Sequence, residues 1–421
     1  MNYISRLYDP MISGMLSELS AIALDGAKAV GKTSTAEQHT RHTLRFDLDE
    51  TIELMSNGIQ LLRNTEKPVC LDEWQRYPKV WDYVRRLVDE DRAPNQFILT
   101  GSAVPQNAAI HSGAGRIVRL RMRPLSLQER ELDKAAITVA SLFHENPDTV
   151  SGSTSVTLED YLHEVIVSGF PAIRELSTEN ARHQIDGYLA NLVQREFPEQ
   201  GLLVRKPGTL FRWLRAYAAA TASTASYQTI LDASTPGERP PAKATVQSYR
   251  DILDELWITD RVDAWLPTVN LFSPLGKSPK HYLVDPALSA SLLSISENQL
   301  LRAVSAPLLG PQHGSVAGRL FESLIAQSLQ TYAVINRAKL GHFRNAKGNR
   351  EIDFILERDY HVLAIEVKMS VTVDDSDVRH LNWLAEHLNG YELIRIVITT
   401  GPHAYTRKDG VHVIPAALLG A

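Results

Sequence analysis

The chain is short of the features that define several common protein classes. It has one cysteine, Cys70, so no intramolecular disulfide can form, and this fits a reducing compartment. Its histidines are scattered without zinc-ligand spacing. No apolar run approaches the ~18–20 residues needed to span a membrane, and the opening stretch MNYISRLYDP lacks the apolar core of a secretory signal. The expectation is a soluble, cytoplasmic protein with no membrane partner. Positive charge is not in excess either. A net charge of -5 argues against a protein that coats nucleic acid, while leaving room for a local basic site. No internal repeat is evident. What the chain does have is length. Its 421 residues with 44% hydrophobic content suffice for two to four folded domains at roughly 100–200 residues each.

Short apolar runs alternate with longer polar, helix-compatible stretches in the first third. After a helical lead-in over residues 1–20, Ile22–Leu24, Leu44–Asp47, Val69–Leu71 and Gln96–Thr100 read as strands. Buried strands separated by helices imply a parallel sheet covered on both faces. Residues 134–156, rich in Ser, Thr and Asn, read as a linker. Residues 157–270 read as mainly helical, with a break at Gly169-Phe170-Pro171. Asp186–Glu196 is amphipathic through Tyr188, Leu189, Leu192 and Val193. Helices at Thr209–Ala220 and Thr245–Leu256, a loop at 232–242, then Trp257-Ile258 and the turn at Pro267 suggest a winged helix-turn-helix. From about Gly314, the helix Val316–Gln330, the strands His361–Lys368 and Leu393–Thr399, and the helix Asp375–Leu388 between those strands form a second, smaller α/β unit. The boundaries implied are 1–133, 134–156, 157–290 and 291–421.

Gly26 to Thr33 reads GAKAVGKT, a complete phosphate-binding loop placed after a strand and before a helix. In such a loop successive backbone N–H groups wrap the phosphates at a helix N-terminus. The contacts fall to Gly26, Ala27, Lys28, Ala29, Val30, Gly31, Lys32, Thr33 and Ser34. Lys32 reaches the β- and γ-phosphates, and the Thr33 hydroxyl is a ligand for Mg²⁺. The third strand runs into Asp72-Glu73. Asp72 is placed to orient Mg²⁺ and Glu73 to polarise the attacking water. Thr100 or Ser102, after the fourth strand, can sense the γ-phosphate. Arg116 is a candidate for an arginine that stabilises transition-state charge. ATP and Mg²⁺ are the cofactors expected.

Near the C-terminus, Glu351–Leu356 and Val362–Lys368 read as a β-hairpin. Residues i and i+2 share a face of a strand, so Glu366 and Lys368 point the same way, and Asp353 can meet Glu366 across the hairpin. Glu322 lies on the preceding helix. Glu322, Asp353 and Glu366, with the carbonyl of Val367, could hold Mg²⁺ beside Lys368, an inventory suited to phosphodiester hydrolysis. Arg337, Lys339, Arg344, Lys347 and Arg350 could meet a phosphate backbone. A surface hairpin whose charges pair among themselves accounts for the same residues.

These stretches together resemble a large prokaryotic family of uncharacterised ATP-binding proteins. In that family an AAA-type P-loop ATPase module is followed by a winged helix and a C-terminal domain of the restriction-endonuclease-like, PD-(D/E)XK type. The resemblance rests on Gly26–Thr33, Leu71–Arg76, Leu99–Ser102, Gly115-Arg116, Gly169–Pro171, Phe321-Glu322, Glu351–Phe354 and Glu366–Lys368 in that order. It implies an α/β architecture with a nuclease-like tetrad of Glu322, Asp353, Glu366 and Lys368. Ile352 stands where the pattern has proline. Two functions stay open. In one, an ATPase controls a DNA-directed, nucleolytic C-terminal domain. In the other, a non-catalytic ATP-dependent switch acts on a protein partner in a toxin–antitoxin-like or defence role. The mixed charge of Arg250, Asp251, Asp254 and Glu255 makes a poor DNA face. A nucleotide kinase is disfavoured by the Asp72-Glu73 pair and the lack of an acceptor-binding lid.

Overall fold

The computed structural model describes residues 3–103, 113–145, 147, 149–204, 206–235, 241–267, 278–305, 311–345 and 348–421. Five strands open the fold: β1 (Ala21–Asp25), β2 (His42–Arg45), β3 (Val69–Asp72), β4 (Phe97–Gly101) and β5 (Ile117–Arg121). They form a wholly parallel sheet in the order β2-β3-β4-β1-β5. The interior strand β1, between β4 and β5, is buried along its whole length, as a strand with covered faces requires. Its side chains alternate. Ile22 and Leu24 enter one core, and Ala21 and Ala23 enter another with Trp74, Trp81 and Phe97. The helix Lys79–Glu90 closes that second core with Val80, Trp81, Val84, Leu87 and Val88, an apolar stripe at helical spacing. The second strand lies two residues earlier than its sequence suggested, and β5 has no counterpart in the sequence reading.

The first core does not stop at the sheet. Ile22, Leu24, Ala27 and Val30 pack with Trp213, Leu214, Tyr217 and Leu288 of the central region. The phosphate loop is therefore roofed by helices that follow it in sequence. These include Thr178–Asn191, which continues through a π-turn at Leu192–Glu196, and Pro207–Ala219. Tyr227–Ser234 and Lys243–Glu255 complete the set. A short antiparallel ladder follows, in which Thr259 bridges Leu283 and Val262 bridges Lys280. We refer to it as the central hairpin.

The last part holds a seven-stranded sheet. Its strands are β7 (Gly152–Ser153), β8 (Lys339–Arg344), β9 (Glu351–Arg358), β10 (His361–Lys368), β11 (Glu392–Thr399), β12 (His403–Thr406) and β13 (His412–Pro415). Their order is β7-β12-β13-β11-β10-β9-β8. The hairpin β9–β10 is antiparallel, and β10–β11 is parallel with the helix Asp375–His387 between them. Leu363 and Ile365 face a core shared with the long helix Pro311–Ile335, whereas Val362 and Ala364 face Asp375–His387. The central hairpin joins this sheet at its edge. Ala264 bridges His342 of β8, and the Trp265 indole N–H donates to Glu357 at 2.7 Å.

Residues 134–156, read from the sequence as a linker, carry the helix Val139–Glu145 and two short strands. β6 (Ile137–Thr138) pairs with β14 (Leu419–Gly420), and β7 pairs with β12. Among the described residues no helix is long and apolar enough to cross a membrane.

Candidate functional site

The loop between β1 and the helix Lys32–Gln38 has backbone conformations that explain its glycines. Gly26 has φ 151°, and a Cβ there would lie 2.3 Å from the Met122 carbonyl oxygen. Gly31 has φ 95°, a left-handed conformation that side chains with Cβ resist. Ala29, at φ 68°, tolerates the same region. The Lys32 ammonium is buried and donates to the carbonyl oxygens of Gly26 and Ala27, each at 2.8 Å. Burial drives it down to about 8, against the pull of Glu73, Asp25 and Asp72.

The Thr33 hydroxyl donates to Asp72 Oδ1 at 2.6 Å, and the Thr100 hydroxyl donates to the same oxygen. The end of β3 thus meets the start of the loop helix in a cluster of hard oxygen donors. That chemistry fits Mg²⁺, with Thr33 and Asp72 as the residues that would hold it. Glu73 is set by a left-handed residue conformation (φ 53°). Its carboxylate accepts from the Gln75 amide and from the Ser102 hydroxyl at 3.2 Å. Ser102 and Thr100 therefore divide the work at the end of β4, one touching each acid.

Arg116 is not brought to this cluster. It precedes β5 at the end of the sheet where Ala21 pairs with Ile117, opposite the loop. There it pairs with Asp89 at 2.8 Å and is well exposed. Ser34 lies on the exposed rim of a cavity of about 230 Å³ beside the loop, lined also by Tyr3, Ile4, Gly31, Thr35 and Pro171.

Three contacts escaped the sequence reading. Arg6 is buried and donates to Glu129 at 2.8 Å, to the Val30 carbonyl at 2.7 Å and to the Arg123 carbonyl at 2.7 Å. It ties the segment before β1 to the phosphate loop. Glu196 pairs with Lys28 at 3.3 Å; burial raises its carboxyl, with Lys28 opposing. The third, Lys280, lies in the C-terminal cluster. Each is long-range, and no local pattern marks it.

In the C-terminal unit, Asp353 and Glu366 come within hydrogen-bonding reach of one another, and Lys368 pairs with Glu366 at 3.2 Å. Val367, expected to offer its carbonyl, donates its N–H to Asp353 Oδ2 at 2.9 Å. Glu322 joins from the helix Pro311–Ile335. At the centre stands Lys280. Its Nζ lies 2.8 Å from Asp353, 3.0 Å from Glu322 and 3.4 Å from Glu351. The Tyr282 hydroxyl donates to Glu322 at 2.6 Å. Burial alone would depress the Lys280 ammonium, but Asp353, Glu322 and Glu351 reverse this and hold it above the usual lysine range. Burial and the Asp353 charge push Glu322 up to about 7 and hold Glu366 well above the carboxylate range. Burial would raise Asp353 too, but Lys280 and Lys368 bring it below its usual value. An ammonium at the meeting point of three carboxylates is not the donor set of a divalent cation. Among the described residues no group of three or more His, Cys, Asp or Glu side chains is arranged to hold a metal ion. Of the basic residues read as a phosphate-facing set, Arg344 bonds Thr224 and Arg350 lies over the Trp383 ring. Lys347 lies outside the described residues.

Residues 19–131 match the family model described as an AAA domain. The N-terminal part of this chain is an AAA-type P-loop domain. Residues 158–299 and 317–419 match two families described as domains of unknown function, DUF8612 and DUF4143. Uncharacterized proteins of Mycobacterium tuberculosis and Mycobacterium bovis are each 22% identical over 412 residues, covering 95% of this chain and 81% of theirs. Among solved structures, a Walker-type ATPase of Pyrococcus abyssi aligns at 13% identity and TM-score 0.38, covering 69% of this chain and 96% of its own. A Vibrio cholerae protein aligns at 10% identity and TM-score 0.20, covering 94% of each.

Proposed function

We propose that the chain is a Mg²⁺-dependent ATPase that acts as a conformational switch, the nucleotide state of its AAA-type domain setting how the central helices sit on the C-terminal unit. The observation that carries this reading is the junction of Thr33, Asp72, Thr100 and Glu73 at the mouth of the phosphate loop. ATP phosphates lie on the backbone N–H groups of Gly26–Thr33, with Lys32 turning from its own loop carbonyls to the phosphate oxygens. The cavity beside Gly31 and Pro171 takes the nucleoside. Thr33 and Asp72 would hold Mg²⁺, which would supply charge neutralisation for the phosphoryl group. Glu73, kept in place by Gln75 and Ser102, accepts the proton of the attacking water. The central region senses the result through Lys28–Glu196 and through Tyr188, whose hydroxyl lies 3.5 Å from the Lys28 carbonyl.

For the output, a switch acting on a partner is favoured over a metal-dependent DNA nuclease. The nuclease-like tetrad of Glu322, Asp353, Glu366 and Lys368 is gathered, but Lys280 stands in its midst. The helix expected to read DNA in a winged helix uses its charges internally. Arg250 stacks on Tyr227, and Asp254 pairs with Arg261 at 2.7 Å. The test is direct. Purified full-length protein is assayed for ATP and GTP binding, for Mg²⁺-dependent phosphate release, and for retention and cleavage of single- and double-stranded DNA with and without ATP. Mg²⁺-dependent ATP turnover without DNA cleavage is the expected result. Absence of nucleotide binding sinks the proposal, and ATP-dependent cleavage of DNA replaces the switch with the nuclease.

A further inference from the structure

We infer that the C-terminal carboxylate cluster carries a built-in substitute for a divalent cation: the ammonium of Lys280, delivered by the central hairpin. Three acids from separate places converge there. Glu322 comes from a helix, and Glu351 and Asp353 come from β9, two residues apart and so on one face of the strand. An ammonium has three donor hydrogens and no acceptor, and Lys280 faces three carboxylates at 2.8, 3.0 and 3.4 Å. Two of these contacts, to Asp353 and Glu322, are hydrogen bonds, and the third, to Glu351, is an ion pair. Its side chain is 1% exposed, so water contributes little to holding it.

The lysine is also anchored at its base. The Lys280 N–H donates to the Val262 carbonyl at 2.9 Å, and the Val262 N–H returns to the Lys280 carbonyl at 3.1 Å. Two residues on, Tyr282 bonds Glu322 from the same strand. The hairpin is fastened in turn to β8, where the His342 N–H donates to the Asp263 carbonyl at 2.9 Å. A Mg²⁺ or Mn²⁺ ion approaches carboxylate oxygens far more closely than an ammonium does, at about 2.1 Å. An ion bound through both Asp353 and Glu322 would need the oxygens that the Lys280 ammonium already holds, so the two exclude one another there. Removing the ammonium uncovers carboxylates already directed at one point. The hairpin thus decides whether the C-terminal unit carries a fixed organic cation or an exchangeable metal.

The test uses full-length protein without nucleotide, with Mn²⁺ as probe, read by electron paramagnetic resonance and calorimetry. Wild type, Lys280→Met and Lys280→Met/Glu322→Gln are compared, each with and without Asp353→Asn. The double variant keeps the buried charge lower should the single variant fail to fold. Wild type is expected to show no Mn²⁺ binding that depends on Asp353. A Lys280→Met variant, single or double, should gain a site at least ~100-fold tighter than wild type, lost again when Asp353→Asn is added. Binding of Mn²⁺ to wild type that Asp353→Asn removes overturns the inference. So does a folded Lys280→Met variant that binds no better than wild type, since the lysine is then not what bars the ion. ATP affinity on the same samples reads the phosphate loop separately, so failure of the nucleotide reading is not mistaken for failure of this one.

Discussion

Replacing Arg6 by methionine isolates a contact that joins the N-terminal segment to the phosphate loop. Methionine keeps the apolar stem of the side chain and removes all its donors. Two buried carbonyls, Val30 and Arg123, then lose partners at 2.7 Å, at roughly 1–3 kcal/mol each. Glu129 loses its counter-ion but keeps the Leu7 N–H at 2.9 Å and the Ser126 N–H and hydroxyl, each at 2.8 Å. Its cost therefore falls at or below the low end of the ~3–5 kcal/mol seen when a buried pair is broken. Allowing for non-additivity, the total is about 4–6 kcal/mol. At the usual unfolding entropy per residue, a chain of this size melting as one unit drops by about 5–7 °C. The Val30 carbonyl belongs to the loop itself, so ATP affinity should fall as well, by about tenfold. Thermal unfolding and fluorescent-nucleotide titration measure the two effects. A variant that melts within a degree of wild type and binds ATP equally well would show that Arg6 bears on neither the fold nor the loop.

The remaining predictions concern the nucleotide chemistry. Lys32→Ala should abolish ATP binding or turnover, because the loop's other ammonium, Lys28, is paired with Glu196; unchanged affinity and turnover in a folded variant rule the assignment out. Glu73→Gln should keep ATP affinity within a few-fold and lose roughly 10²-fold or more in turnover, whereas normal turnover would mean that Glu73 only shapes the strand end. Ser102→Ala should give a smaller loss through the freed Glu73 carboxylate, of roughly three- to tenfold for one long hydrogen bond of ordinary strength, about 0.5–1.5 kcal/mol; a loss as large as that of Glu73→Gln would place Ser102 in the reaction itself. Lys32 sits near 8 in the free protein, and bound phosphate raises its proton affinity. ATP binding should then take up a proton above about pH 8, and none well below it, where the lysine is already charged. Calorimetry near pH 9 in buffers of different ionisation enthalpy reads the uptake, and its persistence in Lys32→Arg would locate the proton elsewhere.

The strands β1, β3 and β4 were legible because both their faces are covered, so each is a short unbroken apolar run. β5 was not. It lies at the sheet edge with Val118 and Arg119 exposed, and its alternating charge resembles a loop. The meeting of Asp353 and Glu366 follows from the two-residue period of paired strands, a local rule. Lys280 lies 42 residues before Glu322 and 73 before Asp353, and nothing in Ser278-Pro279-Lys280-His281 distinguishes a buried counter-ion from a surface lysine. The same holds for Arg6 and Glu129, which are 123 residues apart. Periodicity reports what an element buries, not which distant charge it meets. Residues 134–156 misled for a related reason. Strands of two residues, Ile137–Thr138 and Gly152–Ser153, are too short to leave a pattern in a polar composition.

Those two short strands also govern the order of events during synthesis. Ile137 and Thr138 find their partners at Leu419 and Gly420, and Gly152 and Ser153 find theirs at Ala404 and His403. The phosphate-loop sheet is complete by Arg121 and can form while translation continues. The middle segment must wait for roughly 250–280 further residues before its edges are covered, and contacts so distant in sequence are slow to close. During that interval the growing chain presents a parallel sheet whose core still awaits Trp213, Leu214, Tyr217 and Leu288, and a β-edge that is bare. A chaperone acting on this protein would meet it there.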